Sequence, residues 1–245
     1  MSRLLYALAC LSLAWTLTLH AEAEPFRIGF GINKPPYVFE VEHQGLEYEL
    51  VQAALRAAGY EMQAYFAPME RLHLMLERGE IDCIATTNEM SGVAAYYSDS
   101  YIEYHNMVVA LASRNLQLNS LDDLRHYSIS AFQRARLLLG PEFAAVVSNH
   151  PNYREEAQQV TRNRLLYSGR IDLIIGDPKV IRYFNRDVLD QVDITQPLTW
   201  YPMFPPTSYK LGFRYQMQRD QFNRGLAAIR RSGEYAEIER KYADY

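Results

Sequence analysis

Leu76-Glu-Arg-Gly-Glu-Ile-Asp-Cys-Ile-Ala-Thr-Thr87 is repeated in outline by Leu166-Tyr-Ser-Gly-Arg-Ile-Asp-Leu-Ile-Ile-Gly-Asp177, at a constant offset of 90 residues. Leu76 and Leu166, Gly79 and Gly169, Ile81 and Ile171, Asp82 and Asp172, and Ile84 and Ile174 coincide. Each copy reads as the end of a helix, a glycine that stops it, and a short apolar run suited to a buried parallel strand. Two copies of one unit imply two similar lobes. In open α/β sheets, ligands bind beyond the carboxyl ends of the strands. The offset puts Thr87 and Asp177 at equivalent strand ends, so lobes that face each other turn both residues toward a shared cleft.

Around the first copy, Phe26-Arg-Ile-Gly-Phe-Gly31 alternates as a strand, and Pro35-Pro36 force an extended turn before Tyr37. Leu46, Leu50, Val51, Ala54, Leu55 and Ala58 recur at helical spacing up to Gly59. Residues 60–66 read as a strand, and Pro68 opens a helix that Gly79 ends. Strands alternating with helices predict an α/β lobe with a mainly parallel sheet. Around the second copy, residues 121–124 predict a helical turn, 127–132 a strand, 135–139 a helix stopped by Gly140, and 155–175 a helix and a strand.

At the N-terminus Arg3 precedes an uncharged apolar run over residues 4–19, followed by Ala21-Glu22-Ala23. A positive start, a short apolar stretch and a small-x-small site predict a cleavable signal peptide over residues 1–23. The run is short for a membrane span, which needs about 20 apolar residues. Cys10 lies too early in it for a lipoprotein site. The remaining chain, with no second long apolar run, is expected to be soluble, periplasmic and monomeric. The formal net charge of −4 is unaffected by that removal, because Arg3 and Glu22 cancel. No basic stripe marks a nucleic-acid partner. Cys83 is then the single cysteine, so no internal disulfide is expected, and its apolar surroundings predict an inert thiol. His43, His73, His105, His126 and His150 are scattered without ligand spacing, so neither metal nor cofactor is expected. The chain has 19 Tyr against 10 Phe and 2 Trp, and tyrosine's apolar face and polar tip suit both small-molecule clefts and ordinary surface.

From about Arg27 to Tyr242 the chain resembles the family-3 extracellular solute-binding proteins of the periplasmic amino-acid-binding type. The resemblance rests on the order and spacing of Ile28-Gly29, Pro35-Pro36-Tyr37, Gly45 with Tyr48 and Leu50, residues 76–85, Tyr97-Ser-Asp-Ser-Tyr101, Leu121-Asp-Asp-Leu124, Gly169-Arg-Ile-Asp172 and Ser232-Gly-Glu-Tyr235 before Ile238. It implies a two-lobed periplasmic-binding-protein fold whose chain crosses twice at a hinge: residues 24–112 and 205–245 in lobe one, 113–204 in lobe two. It also implies a returning strand over 208–215 and a last helix from about Arg219.

Residue by residue, the resemblance implies that Asp177 pairs with a ligand amino group, although Asp before Pro178 reads equally well as a helix cap. Tyr37 stands near an aromatic wall position, and the family's more usual aromatic position is here Lys34. Thr86 and Thr87 end the first-lobe strand with hydrogen-bonding groups. Phe132-Gln133-Arg134 fill the turn where the family has a Gly-Thr pair. The family's carboxylate-clamping arginine is absent: its position is Ser91, and no arginine occurs between Arg78 and Arg114. A serine cannot imitate a bidentate guanidinium, so an ordinary amino-acid pose is in doubt. Arg134 at a helix start is a replacement candidate as well as an ordinary surface arginine, and Arg71 is a weaker one. Asp82 and Asp172 read as structural because they precede buried strands.

The expected function is capture of a small polar, amine-bearing molecule for an inner-membrane ABC permease. A ligand-sensing module for a membrane receptor is the alternative. A dehydratase-type enzyme on the same fold is disfavoured, because it needs cationic clamps for two carboxylates.

Overall fold

The structure, a computed structural model, describes residues 25–245. The expected signal peptide over residues 1–23 lies outside them. The chain opens with β1 (Phe26–Gly31), α1 (Leu46–Ala57), β2 (Met62–Ala67), α2 (Met69–Arg78) and β3 (Cys83–Thr87), followed by the short β4 (Tyr96–Tyr97) and β5 (Ile102–Tyr104). The second half runs through β6 (Met107–Leu111), β7 (Ile129–Phe132), α3 (Ala135–Leu138), α4 (Pro141–Val147), β8 (Tyr153–Glu156), α5 (Gln159–Tyr167), β9 (Leu173–Gly176), α6 (Pro178–Asn185) and β10 (Leu198–Tyr201). The chain closes with β11 (Thr207–Phe213), α7 (Gln216–Ser232) and α8 (Glu234–Lys241).

Two sheets result. One has the order β2-β1-β3-β11-β4, with β5 also on β11; the other has the order β10-β6-β9-β7-β8. In each, three strands are parallel and the next neighbour is antiparallel. That antiparallel strand is β11 in one lobe and β6 in the other, and each is the first strand made after the chain crosses over. The repeated Ile-Asp pair has one structural use in both lobes. Asp82 accepts from the backbone N–H of Arg27 at 2.9 Å, and Asp172 from that of Ser128 at 2.9 Å. Each aspartate thus ties the start of its strand to the neighbouring parallel strand.

Sheet membership changes between Tyr104 and Met107, so β6 belongs to the second sheet, where residues 107–112 had been expected in lobe one. Its apolar run fits either sheet; its antiparallel pairing with β9 and β10 decides. The return falls between Tyr201 and Thr207. The parallel strand β8 and the helix α4 were not anticipated, the former because Tyr-Arg-Glu-Glu has no apolar alternation. Lobe one is stiffened by α7 against α1, where a Cβ on Gly225 would stand 2.1 Å from the Ala54 carbonyl oxygen. Only a residue without a side chain permits that approach.

Candidate functional site

The carboxyl ends of β1, β3, β7 and β9 converge on a cleft of about 620 Å3, its mouth included. Lobe one contributes Gly31, Lys34, Thr86 and Tyr104; lobe two contributes Phe132, Gln133, Arg162, Gly176 and Asp177. Asn106 and Tyr209, beside the two crossings, also line the cleft. The Asn106 amide donates to the Thr207 hydroxyl at 3.2 Å, so the two crossings are bonded to each other.

The lobe-one wall is built on a fully buried carboxylate. Glu47, in the first turn of α1, meets the Lys34 ammonium at 3.0 Å. It also accepts from the hydroxyls of Thr86 at 2.5 Å, Tyr101 at 2.5 Å and Tyr104 at 2.6 Å. Lys34 donates to the Thr86 hydroxyl at 2.8 Å, and Tyr101 accepts from the Thr86 N–H at 3.0 Å. Burial alone would raise the Glu47 carboxyl; Lys34 and the three hydroxyls outweigh it and hold the group below the usual carboxylate range. These bonds also hold Thr86 at φ 54, a backbone conformation costly for a β-branched residue. This left-handed residue breaks the two-residue alternation of β3. Thr86 therefore reaches the cleft wall, while Thr87 is fully buried and does not line it. The expected matching of Thr87 with Asp177 is shifted by one residue.

The lobe-two wall is different. Asp177 caps α6 by accepting from the Lys179 N–H at 2.9 Å, and its other oxygen accepts from the His105 N–H at the first crossing at 3.0 Å. Tyr37 hydrogen-bonds the same carboxylate, and burial drives the Tyr37 phenol far above its ordinary value. Burial likewise raises the Asp177 carboxyl, against the opposing pull of His105, Lys179 and Tyr37. Among the described residues no ion pair reaches it. Cap and cleft residue are one and the same side chain. Arg162 of α5 is 1% exposed. Among the described residues its one hydrogen bond goes to the Gln159 side-chain oxygen, and its Nε and Nη1 have no partner. Burial lowers its guanidinium to about 10, while Glu156, itself paired with Arg154, acts in the opposite sense.

Four of the sequence-predicted residues therefore share the cleft wall: Thr86, Phe132, Gln133 and Asp177. Tyr37 stacks on Tyr104 with ring centres 3.9 Å apart, one layer behind that wall. Arg134 does not line it either. Its guanidinium crosses between the lobes to Glu70 at 2.8 Å and to the Ser91 carbonyl. A guanidinium thus does arrive at the position of the missing family arginine, but it latches one lobe to the other. Gln133 adds to the latch by accepting from the Met69 N–H at 3.0 Å. Sequence reasoning passed over Glu47, Lys34 and Arg162. For Arg162 a signal existed: it lies with Asn163, Leu166 and Tyr167 on the buried face of α5, a stripe where a charge is out of place.

Among the described residues no group of three or more His, Cys, Asp or Glu side chains could hold a metal ion, and no helix is long and apolar enough to cross a membrane. No curated protein matches the chain in sequence. Among solved structures, the chain is similar to the arginine-, lysine-, histidine-binding protein ArtJ from the thermophilic bacterium Geobacillus stearothermophilus. The TM-score is 0.73 at 16% identity, covering 90% of this chain and 96% of that one. It is similar to a histidine kinase sensor domain that itself resembles periplasmic binding proteins, with a TM-score of 0.74 at 18% identity over 89% and 96% of the two chains. An ancestral arginine-binding protein bound to arginine gives 0.73 at 18% identity over 89% and 97%. At such identities these likenesses speak for the fold. The model of the bacterial extracellular solute-binding proteins, family 3, matches residues 26–245, and with two hinged sheets, a cleft at their strand ends and that match along its length, the chain belongs to this family.

Proposed function

We propose that this protein captures a small polar, amine-bearing solute by closing its two lobes, in the bacterial periplasm, and hands it to an inner-membrane ABC importer. The observation that carries the reading is Asp177: a buried carboxylate on the cleft wall, served among the described residues by N–H groups and a phenol but by no cation. A solute ammonium restores the missing charge, and a charge-assisted hydrogen bond is about twice as strong as a neutral one. Two short crossings bonded to each other suit hinge closure. The solute is expected to be released unchanged, as a carrier requires.

Thermal-shift screening against amino acids, polyamines, small peptides and organic acids tests the reading. A true ligand at 100 times its Kd adds about 2.7 kcal/mol of stability. Its addition should also lower the radius of gyration in solution scattering. An unchanged scattering profile at saturating ligand would point to a rigid module. In cells the chain should begin at Glu24 and be released with the periplasm; intact Met1 counts against export by cleavage. The likeness to a histidine kinase sensor domain supports a second reading, in which closure is reported to a membrane receptor. Co-purification with a permease or with a receptor separates the two.

A further inference from the structure

The lobe-one wall holds one buried polar network, and its hydrogen-bonding capacity can be counted. Glu47 accepts from Thr86 and Tyr101 on Oε1, and from Tyr104 and Lys34 on Oε2. An ionised carboxylate has about four acceptor sites, so Glu47 is full. The hydroxyl hydrogens of Thr86, Tyr101 and Tyr104 are all spent on it. Lys34 is different. Its ammonium has three N–H groups, of which one goes to Glu47 at 3.0 Å and one to the Thr86 hydroxyl at 2.8 Å. Among the described residues no acceptor meets the third, although Lys34 is buried and lines the cleft. A tight turn fixes the backbone that carries it. The Lys34 N–H donates to the Val38 carbonyl at 2.8 Å, and the Lys34 carbonyl accepts from the Val38 N–H at 3.0 Å. The Tyr104 ring centre lies 5.1 Å from the ammonium, and Tyr104 stacks on Tyr37, whose phenol is bonded to Asp177. Lys34 and Asp177 thus stand at the two ends of one tyrosine stack.

We infer that Lys34 selects the far end of the solute: an uncharged oxygen acceptor, such as an amide or a hydroxyl, that takes the third N–H. This rests on the reading of Asp177 as the seat of a solute ammonium and extends it to the opposite wall. A cationic end meets an ammonium whose counterion has no acceptor site left. An anionic end meets the Glu47 carboxylate behind a charge that Glu47 has already cancelled. An apolar end leaves a buried charged N–H without an acceptor, which is costly. The neutral acceptor is the class that completes the network without adding charge. Solutes ending in a guanidinium or a second ammonium are therefore refused.

The test is calorimetry on two series of primary amines, one with and one without a carboxylate beside the amine. Within each series the chain length is held, and the far end is an amide, a methyl, an ammonium or a carboxylate. In a series that binds, the amide-ended probe should be the tightest, and the others weaker by roughly tenfold or more. The variant is Lys34→Met combined with Glu47→Gln, which removes the buried pair together and strands no charge. It should hold the amide-ended and methyl-ended probes nearly alike. In wild type, the nitrogen-15 signal of the Lys34 ammonium should shift with the amide-ended probe and stay put with the methyl-ended one. If wild type binds any other end as tightly as the amide, the inference is wrong while solute capture stands. The inference is also overturned if the double variant keeps the wild-type preference. Should that variant not fold, equal nitrogen-15 shifts from both probes overturn it. If no probe of either series binds, the amine reading of Asp177 fails, and the inference falls with it.

Discussion

The two walls of the cleft descend from one repeated unit, yet they handle charge in opposite ways. In lobe one, Glu47 is satisfied by Lys34, Thr86, Tyr101 and Tyr104, so the wall is closed and neutral. In lobe two, among the described residues, Asp177 has hydrogen bonds but no cation, and Arg162 has a single hydrogen bond and no paired carboxylate. A buried charge network that is complete serves structure, whereas an incomplete one is a standing demand for a ligand. The difference separates the part of the site that holds the fold from the part that recognises charge.

The largest effect expected from breaking this comparison lies in lobe one. Glu47→Gln leaves the Lys34 ammonium buried without its counterion, and loss of one partner of a buried pair costs about 3–5 kcal/mol. Urea unfolding should show that loss, and Lys34→Met added to Glu47→Gln should recover most of it. A Glu47→Gln midpoint equal to that of wild type would mean the network is not structural.

Next comes Asp177→Asn, which sharpens the contrast. Ligand affinity should fall by about 2–5 kcal/mol, roughly thirtyfold or more, because the solute cation loses its partner. Ligand-free stability should change by less than about 1 kcal/mol. One amide oxygen can still cap Lys179 or accept from His105 but not both, and relief of the buried charge offsets the lost bond. Equal affinities measured by calorimetry would reduce Asp177 to a cap.

A smaller effect concerns His73 on α2, whose ring nitrogens are buried without partners among the described residues. Burial, with Arg134 nearby, lowers its pKa from 6.5 to about 4. A lowered folded value means that the folded state binds fewer protons in this range. The corresponding stability is therefore full above pH 6.5 and is lost as pH falls toward 4. Because the ring is partly solvated, the effect should stay below about 2 kcal/mol. Asp177 acts in the opposite sense. Its raised value lends stability that is full below its unfolded value and lost as pH rises through the folded one. Unfolding midpoints between pH 4 and 7 should fall less steeply in acid for His73→Asn than for wild type, and more steeply for Asp177→Asn.

The smallest change is expected from Arg134→Met. Its partner Glu70 is largely exposed, so the pair is worth about 0–1 kcal/mol. The readout is geometric: losing the latch should raise the radius of gyration without ligand and leave the unfolding midpoint nearly unchanged. A compact variant would show that the Gln133–Met69 bond suffices.

Much of this was written locally. The helix–glycine–strand echo and the Asp177-Pro178 cap depend on residues close in the chain, so spacing alone located the two lobes and the strand end that bears Asp177. The lobe boundary near residue 106 was not legible, because an apolar strand such as Met107–Leu111 carries no mark of which sheet it will join. Nor was the shift from Thr87 to Thr86, since a positive φ at a threonine is imposed by its distant partners Glu47 and Tyr101.

The sequence by itself determined two α/β lobes, a cleft at their strand ends and a carboxylate in it. Only the tertiary structure decided which charges in that cleft are compensated. Lys34 finds Glu47 and Arg134 finds Glu70, whereas Arg162 and Asp177 find no counterion among the described residues. Coulomb pairing acts through distance in space and the burial of both partners, and residues far apart in the chain acquire neither until the chain has folded.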